Sequence, residues 1–154
     1  MSRPFRRYAA LGESLCAGGE GVSSVPWPGH AARALVGDGG EAAFRNFATA
    51  GATSTDVAIW QLQQAVAFRP DLISVICGAN DVLLSVRPDP EVFAAVLEGI
   101  VDSLLQRLPG ALIVTATYPR IASLLPLRER SGARIESGIA AINVAIGEIA
   151  RRRD

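Results

Sequence analysis

Histidine is nearly absent. His30 is the only one in 154 residues, and cysteine occurs twice, as Cys16 and Cys77. One imidazole among scattered carboxylates does not make a zinc site. Two cysteines make neither a disulfide framework nor a metal-ligand cluster, and they read as buried free thiols. Surplus charge is missing as well. Fifteen basic and fifteen acidic residues cancel, so no excess positive charge is there to release counterions from a nucleic acid, and neither DNA nor RNA is expected as a partner. No apolar stretch approaches the ~18 residues of a membrane span. The N-terminus, Met1-Ser2-Arg3-Pro4-Phe5-Arg6-Arg7, is basic like the start of a signal peptide. Tyr8 to Leu11 then runs straight into Gly12-Glu13-Ser14, with no apolar core segment between them. The expected location is the cytoplasm.

What is there is globular in balance, 49% hydrophobic and 19% charged. The length suggests one domain over residues 1–154, able to bury roughly 70% of the surface its unfolded form exposes. Phe5 to Leu11 reads as a first strand, followed by a Gly-rich loop from Gly12 to Pro28 and a helix from about Gly29 to Val36. Gly37-Asp38-Gly39-Gly40 signals a turn, and Ala42 to Phe47 a second strand. Thr53, Ser54 and Thr55 offer cap oxygens to a helix running to about Phe68. Leu72 to Cys77 is a nearly unbroken apolar run, suited to a parallel strand covered on both faces. Asp89 and Pro90 open a helix whose stripe, Phe93, Val96, Leu97, Ile100, Val101, Leu104, Leu105 and Leu108, has helical spacing. Ala111 to Ala116 reads as another buried strand. Ile135, Ile139, Ile142, Ile146 and Ile149 mark a last helix, with three arginines at the end where they favour its dipole. The alternation of strand and helix implies a three-layer α/β/α arrangement around a parallel sheet of about four strands.

Open parallel sheets bind ligands beyond the C-terminal ends of their strands. Those ends carry Gly12-Glu13-Ser14 after the first strand, Asn46 to Gly51 after the second, Gly78-Ala79-Asn80-Asp81 after the third, and Thr117-Tyr118-Pro119 after the fourth. A hydroxyl, a glycine amide and a side-chain amide on one rim fit a nucleophile with oxyanion donors. The blocks Tyr8-Ala9-Ala10-Leu11-Gly12-Glu13-Ser14-Leu15, Asn46-Phe47-Ala48-Thr49-Ala50-Gly51-Ala52-Thr53 and Arg69 through Gly78-Ala79-Asn80-Asp81 resemble, in order and strand context, those of the SGNH (GDSL-type) hydrolases. The resemblance covers essentially the whole chain. It implies a flavodoxin-like fold with sheet order 2-1-3-4-5 and hydrolysis of a small-molecule ester without cofactor or metal. It implies Ser14 as nucleophile, with the amides of Ser14 and Gly51 and the side chain of Asn80 holding the oxyanion.

Two departures from the family pattern stand out. Glu13 occupies the usual aspartate position, and its extra methylene is expected to disturb the loop that aims Ser14. No Asp-x-x-His motif occurs; the chain reaches Arg151-Arg152-Arg153-Asp154 without the fifth strand that would precede it. The sequence reads as lacking that C-terminal segment, with impaired turnover and with the fourth strand's edge free for self-association. His30 reads as a helix-surface or capping residue, and Asp81 as a cap or loop anchor. Two other readings stand beside the hydrolase. One is a non-catalytic binding module of the same descent. The other is a nucleotide-binding domain, to which Gly19-Glu20-Gly21-Val22-Ser23-Ser24 is only half a fingerprint. The lipase elbow Gly-x-Ser-x-Gly fails at Cys16.

Overall fold

The computed structural model describes residues 5–18, 25–36 and 43–153. The two central strands are β1 (Tyr8–Gly12) and β3 (Leu72–Ile76), and every residue of both is buried. They pair in parallel along their full length, from Tyr8 opposite Leu72 to Gly12 opposite Ile76. β2 (Phe44–Asn46) joins β1 on one side, and β4 (Leu112–Val114) joins β3 on the other. All pairings are parallel and the order is β2-β1-β3-β4, the first four strands of the order implied by the resemblance.

Helices cover both faces. Strand side chains alternate between faces, and the core divides accordingly. Tyr8, Ala10 and Leu72 face α2 (Trp27–Leu35) through Ala32. Ala9, Leu11, Ile73 and Val75 face a larger cluster built with α4 (Leu62–Phe68), α6 (Pro90–Arg107) and α7 (Glu129–Arg151). The isoleucine stripe of α7 is buried at all five expected positions, each contributing about 1.5–3 kcal/mol of apolar burial. Asp89 caps α6 by accepting from the amides of Glu91 and Val92. Arg152 and Arg153, expected to serve the dipole of α7, reach across to α6: Arg153 pairs with Asp102 at 2.7 Å and with Glu98 at 2.8 Å, and Arg152 with Glu98 at 3.2 Å.

Several expected boundaries change. β1 begins at Tyr8 rather than Phe5. β2 keeps three residues of the expected Ala42–Phe47, Ala42 itself lying outside the described residues, as do the turn at 37–40 and the half-fingerprint at 19–24. α2 begins at Trp27, with Pro28 in its first turn. The fourth strand is shorter than Ala111 to Ala116 and is not covered on both faces. By register Leu112 and Val114 share the face of Leu72 and Ser74, where α2 lies over β1 and β2, and they are 50% and 43% exposed. A short helix, α1 (Ser14–Ala17), starts within the expected loop, and another, α5 (Ala79–Leu83), starts where only a loop was expected. A 3-10 turn, Ile121–Leu124, follows β4.

Candidate active site

The rim at the strand C-termini is held together by side-chain hydrogen bonds to backbone. Gly12 ends β1 at φ 143°, and a Cβ there would lie 2.1 Å from the carbonyl oxygen of Ile76. Only glycine lets β1 and β3 approach so closely at this turn. Buried Gln61 holds Gly12 on both sides: the Gly12 amide donates to Oε1 at 2.7 Å, and Nε2 donates to the Gly12 carbonyl at 2.9 Å. Gln61 ends a five-residue π-helical segment, Val57–Gln61, set between α3 (Ser54–Asp56) and α4. Single wide turns of this kind recur at functional sites. Helical periodicity gave no sign of it, and Gln61 was not among the expected site residues.

Glu13 is built into the rim. Its side chain is buried, 2% exposed, and bonded at both oxygens. Oε1 accepts from the Tyr118 hydroxyl at 2.9 Å, and Oε2 accepts from the Asn80 amide at 3.3 Å. The extra methylene gives the carboxyl the reach to join the loops after β3 and β4. Burial raises its pKa above the usual glutamate value, opposed by the Tyr118 and Asn80 hydrogen bonds. Burial, and then the charge of Glu13, push the Tyr118 hydroxyl well above the ordinary tyrosine range, so it stays a donor. Tyr118 is itself bracketed by Asn143 of α7, which accepts from its amide and donates to its carbonyl, both at 2.8 Å.

Ser14 follows Glu13 directly, opens α1, and is exposed. Asn80 lies in the first turn of α5, and its Nδ2 donates to the carbonyl of Ala52 at 2.9 Å. One further N–H of that amide is left over. Gly51, next to Ala52, is exposed at φ 82°, a conformation glycine adopts at little cost. Its amide has no hydrogen-bond partner among the described residues. Ser14, Gly51 and Asn80 are thus joined through Glu13 and Ala52. Asp81 is an anchor: it accepts from the amide and hydroxyl of Ser54, at 2.8 and 2.5 Å, fixing α3 to α5.

Other reactive groups are set apart. His30 is exposed on α2, and no hydrogen bond joins it to Ser14 among the described residues. Both cysteines are buried and free. Burial pushes the Cys16 thiol up to about 12 and the Cys77 thiol up as well, which leaves both as inert thiols at neutral pH. Among the described residues no group of three His, Cys, Asp or Glu side chains could hold a metal ion, and no helix is long and apolar enough to cross a membrane.

Comparison with known proteins bears on the fold and the family. None of the curated proteins matches the sequence. Among solved structures, a proposed lipolytic protein of the G-D-S-L family from Desulfitobacterium hafniense DCB-2 superposes with a TM-score of 0.70 at 16% identity, over 96% of this chain and 73% of that one. A lipase/acylhydrolase from Enterococcus faecalis gives 0.68 at 18% identity, over 95% and 72%. Axe2, an acetylxylan esterase from Geobacillus stearothermophilus, gives 0.62 at 16% identity, over 94% and 73%. At such identities the likeness establishes the fold. The model of the GDSL-like lipase/acylhydrolase family matches residues 10–154, nearly the whole sequence, and the chain belongs to that family.

Proposed function

We propose that this chain is a serine ester hydrolase working through an acyl-enzyme on Ser14. The observation that supports this best is the path from Glu13 to Asn80 to Ala52, which ties three separate sequence blocks around one exposed hydroxyl. Ser14 Oγ attacks the ester carbonyl and gives up its proton. The carbonyl oxygen gains the electron pair and is held by the amides of Ser14 and Gly51 and by Asn80 Nδ2. The bond to the alcohol oxygen then breaks and the alcohol leaves protonated. Water cleaves the acyl-serine, releasing the acid. Removing one oxyanion donor in such a site costs about 10²–10³ in turnover. The substrate is a small-molecule ester, and no cofactor takes part.

These 154 residues contain no Asp-x-x-His, and a serine without an adjacent base is a weak nucleophile. Loss of the base lowers turnover by about 10⁶, with roughly 10³–10⁴ over water left to the oxyanion donors and binding. Slow, Ser14-dependent turnover is therefore expected. A second reading is a non-catalytic binding module. Hydrolysis of p-nitrophenyl acetate separates them, measured for this chain, for Ser14→Ala, and for the chain extended by a strand and an Asp-x-x-His segment. Activity in the extended chain that Ser14→Ala abolishes supports the hydrolase. Ser14-dependent activity of these 154 residues alone supports it too and directs attention to His30→Ala. A folded but inactive extended chain leaves the binding module.

A further inference from the structure

Arg7 and Arg45 share one aromatic ring. The Arg7 guanidinium lies 4.1 Å from the centroid of Phe68, and that of Arg45 lies 5.6 Å from it. Strand register explains the meeting. Arg45 pairs with Ala9, and alternation puts Arg7, Ala9 and Arg45 on one face of the sheet, the face that α4 covers with Phe68. Phe47 meets Phe68 edge-on at 6.1 Å. The two rings and the two guanidinium groups line a concavity of about 350 Å³. Small-molecule sites have this form, apolar walls with a few placed polar groups. Arg120, Arg152 and Arg153 each pair with a carboxylate, whereas Arg7 and Arg45 have no salt bridge among the described residues. Asp71 reaches the start of β1, but it accepts from the main-chain amides of Arg6 and Arg7. The Arg7 Nε is buried and has no hydrogen-bond partner among the described residues.

A guanidinium stacks readily on an aromatic face, but a buried N–H still needs an acceptor. Two cations beside one ring also repel each other. An anion in the concavity offsets both effects. Guanidinium forks match the oxygens of a phosphate. A phosphomonoester carries close to two negative charges at neutral pH and balances both arginines, where a carboxylate balances one. We propose that this concavity binds the phosphate group of a small, soluble phosphomonoester. Arg7 is the fork held in place by stacking on Phe68, and Arg45 is the second charge. Phe47 offers apolar surface to the organic part of the ester. The site does not involve Ser14, so it stands or falls separately from the hydrolase reading.

The test is calorimetric titration of the chain with glycerol 1-phosphate in a chloride buffer. Inorganic phosphate, acetate, and phosphatidylcholine vesicles containing phosphatidic acid are titrated beside it. Saturable binding of glycerol 1-phosphate is expected, with acetate weaker. Arg45→Gln, and Arg7→Lys, which keeps the charge and loses the fork, should each weaken binding about tenfold, the order of a hydrogen bond between charged groups. Melting temperatures add a readout that a merely structural arginine would not move. Without phosphate, Arg45→Gln should melt above wild type, because one of two opposed charges is gone. It should also lose most of the rise that glycerol 1-phosphate gives the wild type. Absence of saturable binding overturns the proposal, as does binding that both variants retain. Acetate binding as tightly as the phosphate overturns it too. Binding of inorganic phosphate without the ester makes the ligand a free ion, and capture by vesicles without binding of the soluble ester makes it a lipid headgroup; either result overturns the assignment.

Discussion

The Glu13 carboxyl is buried between Tyr118 and Asn80, with a pKa above its unfolded value. The folded state therefore binds its proton more tightly than the unfolded chain does. Its contribution to stability is fully present below the ordinary glutamate pKa and is lost as pH rises through the folded value. Glu13→Gln removes this titration, while an amide can still face both Asn80 and Tyr118. Melting temperatures compared between the two proteins from pH 4 to 8 should show the variant gaining relative to wild type as pH rises. A difference independent of pH would disprove the linkage. Glu13→Asp, which restores the residue usual in SGNH hydrolases, should be destabilising here. It withdraws the carboxyl from Tyr118 and leaves a buried hydroxyl unpaired, at about 1–3 kcal/mol. In a chemical-denaturation double-mutant cycle, Glu13→Asp should cost little once Tyr118 is already Phe. Ser14, Gly51 and Asn80 were legible as candidates because each lies in a short block at a strand end. Tyr118 was legible at the end of the fourth strand but not as Glu13's partner, because 105 residues separate the two.

At the level of elements, what could be read depended on whether a segment's pattern is set locally. β1, β3, α6 and the isoleucine stripe of α7 follow from apolar runs and spacing, since burial on two faces or one stripe writes itself into the sequence. The fourth strand was misjudged because an apolar run does not say whether both faces are covered. α1, α5 and the π-helical segment are short, and tertiary contacts fix them. Gln61 is the clearest case: it ends the wide turn and its amide is committed to Gly12, 49 residues away. Gln61→Leu should leave the buried Gly12 amide unpaired and cost about 1–3 kcal/mol in denaturant unfolding. It should also slow any Ser14-dependent ester turnover more than a remote core change of equal cost. Leu104→Ala supplies that reference. Leu104 is 0% exposed near the C-terminal end of α6, and its truncation should cost about 2–5 kcal/mol.

Over the whole molecule, the two central strands are buried and the edge strands β2 and β4 are each paired on one side among the described residues. At β4, Leu112 and Val114 present apolar surface beside an edge with no partner among those residues, the combination that recruits another strand. We propose that copies of this chain associate there. Light scattering should show mass rising with concentration, and Leu112→Lys with Val114→Lys should return it to the monomer value. A wild-type mass that stays monomeric across the range would refute this.

The bond between Glu13 and Tyr118 also sets a schedule. A protein is made from its N-terminus at about 5–20 residues per second, so Ser14 leaves the ribosome several seconds before Tyr118. Asn143, which clamps Tyr118 on both sides, follows later still. Until Tyr118 is made the Glu13 carboxyl has no hydroxyl to meet, and until α7 is made Tyr118 lacks the Asn143 clamp. Ser14 is therefore made well before its surroundings are set, so a nascent chain carries an exposed serine on an unassembled rim.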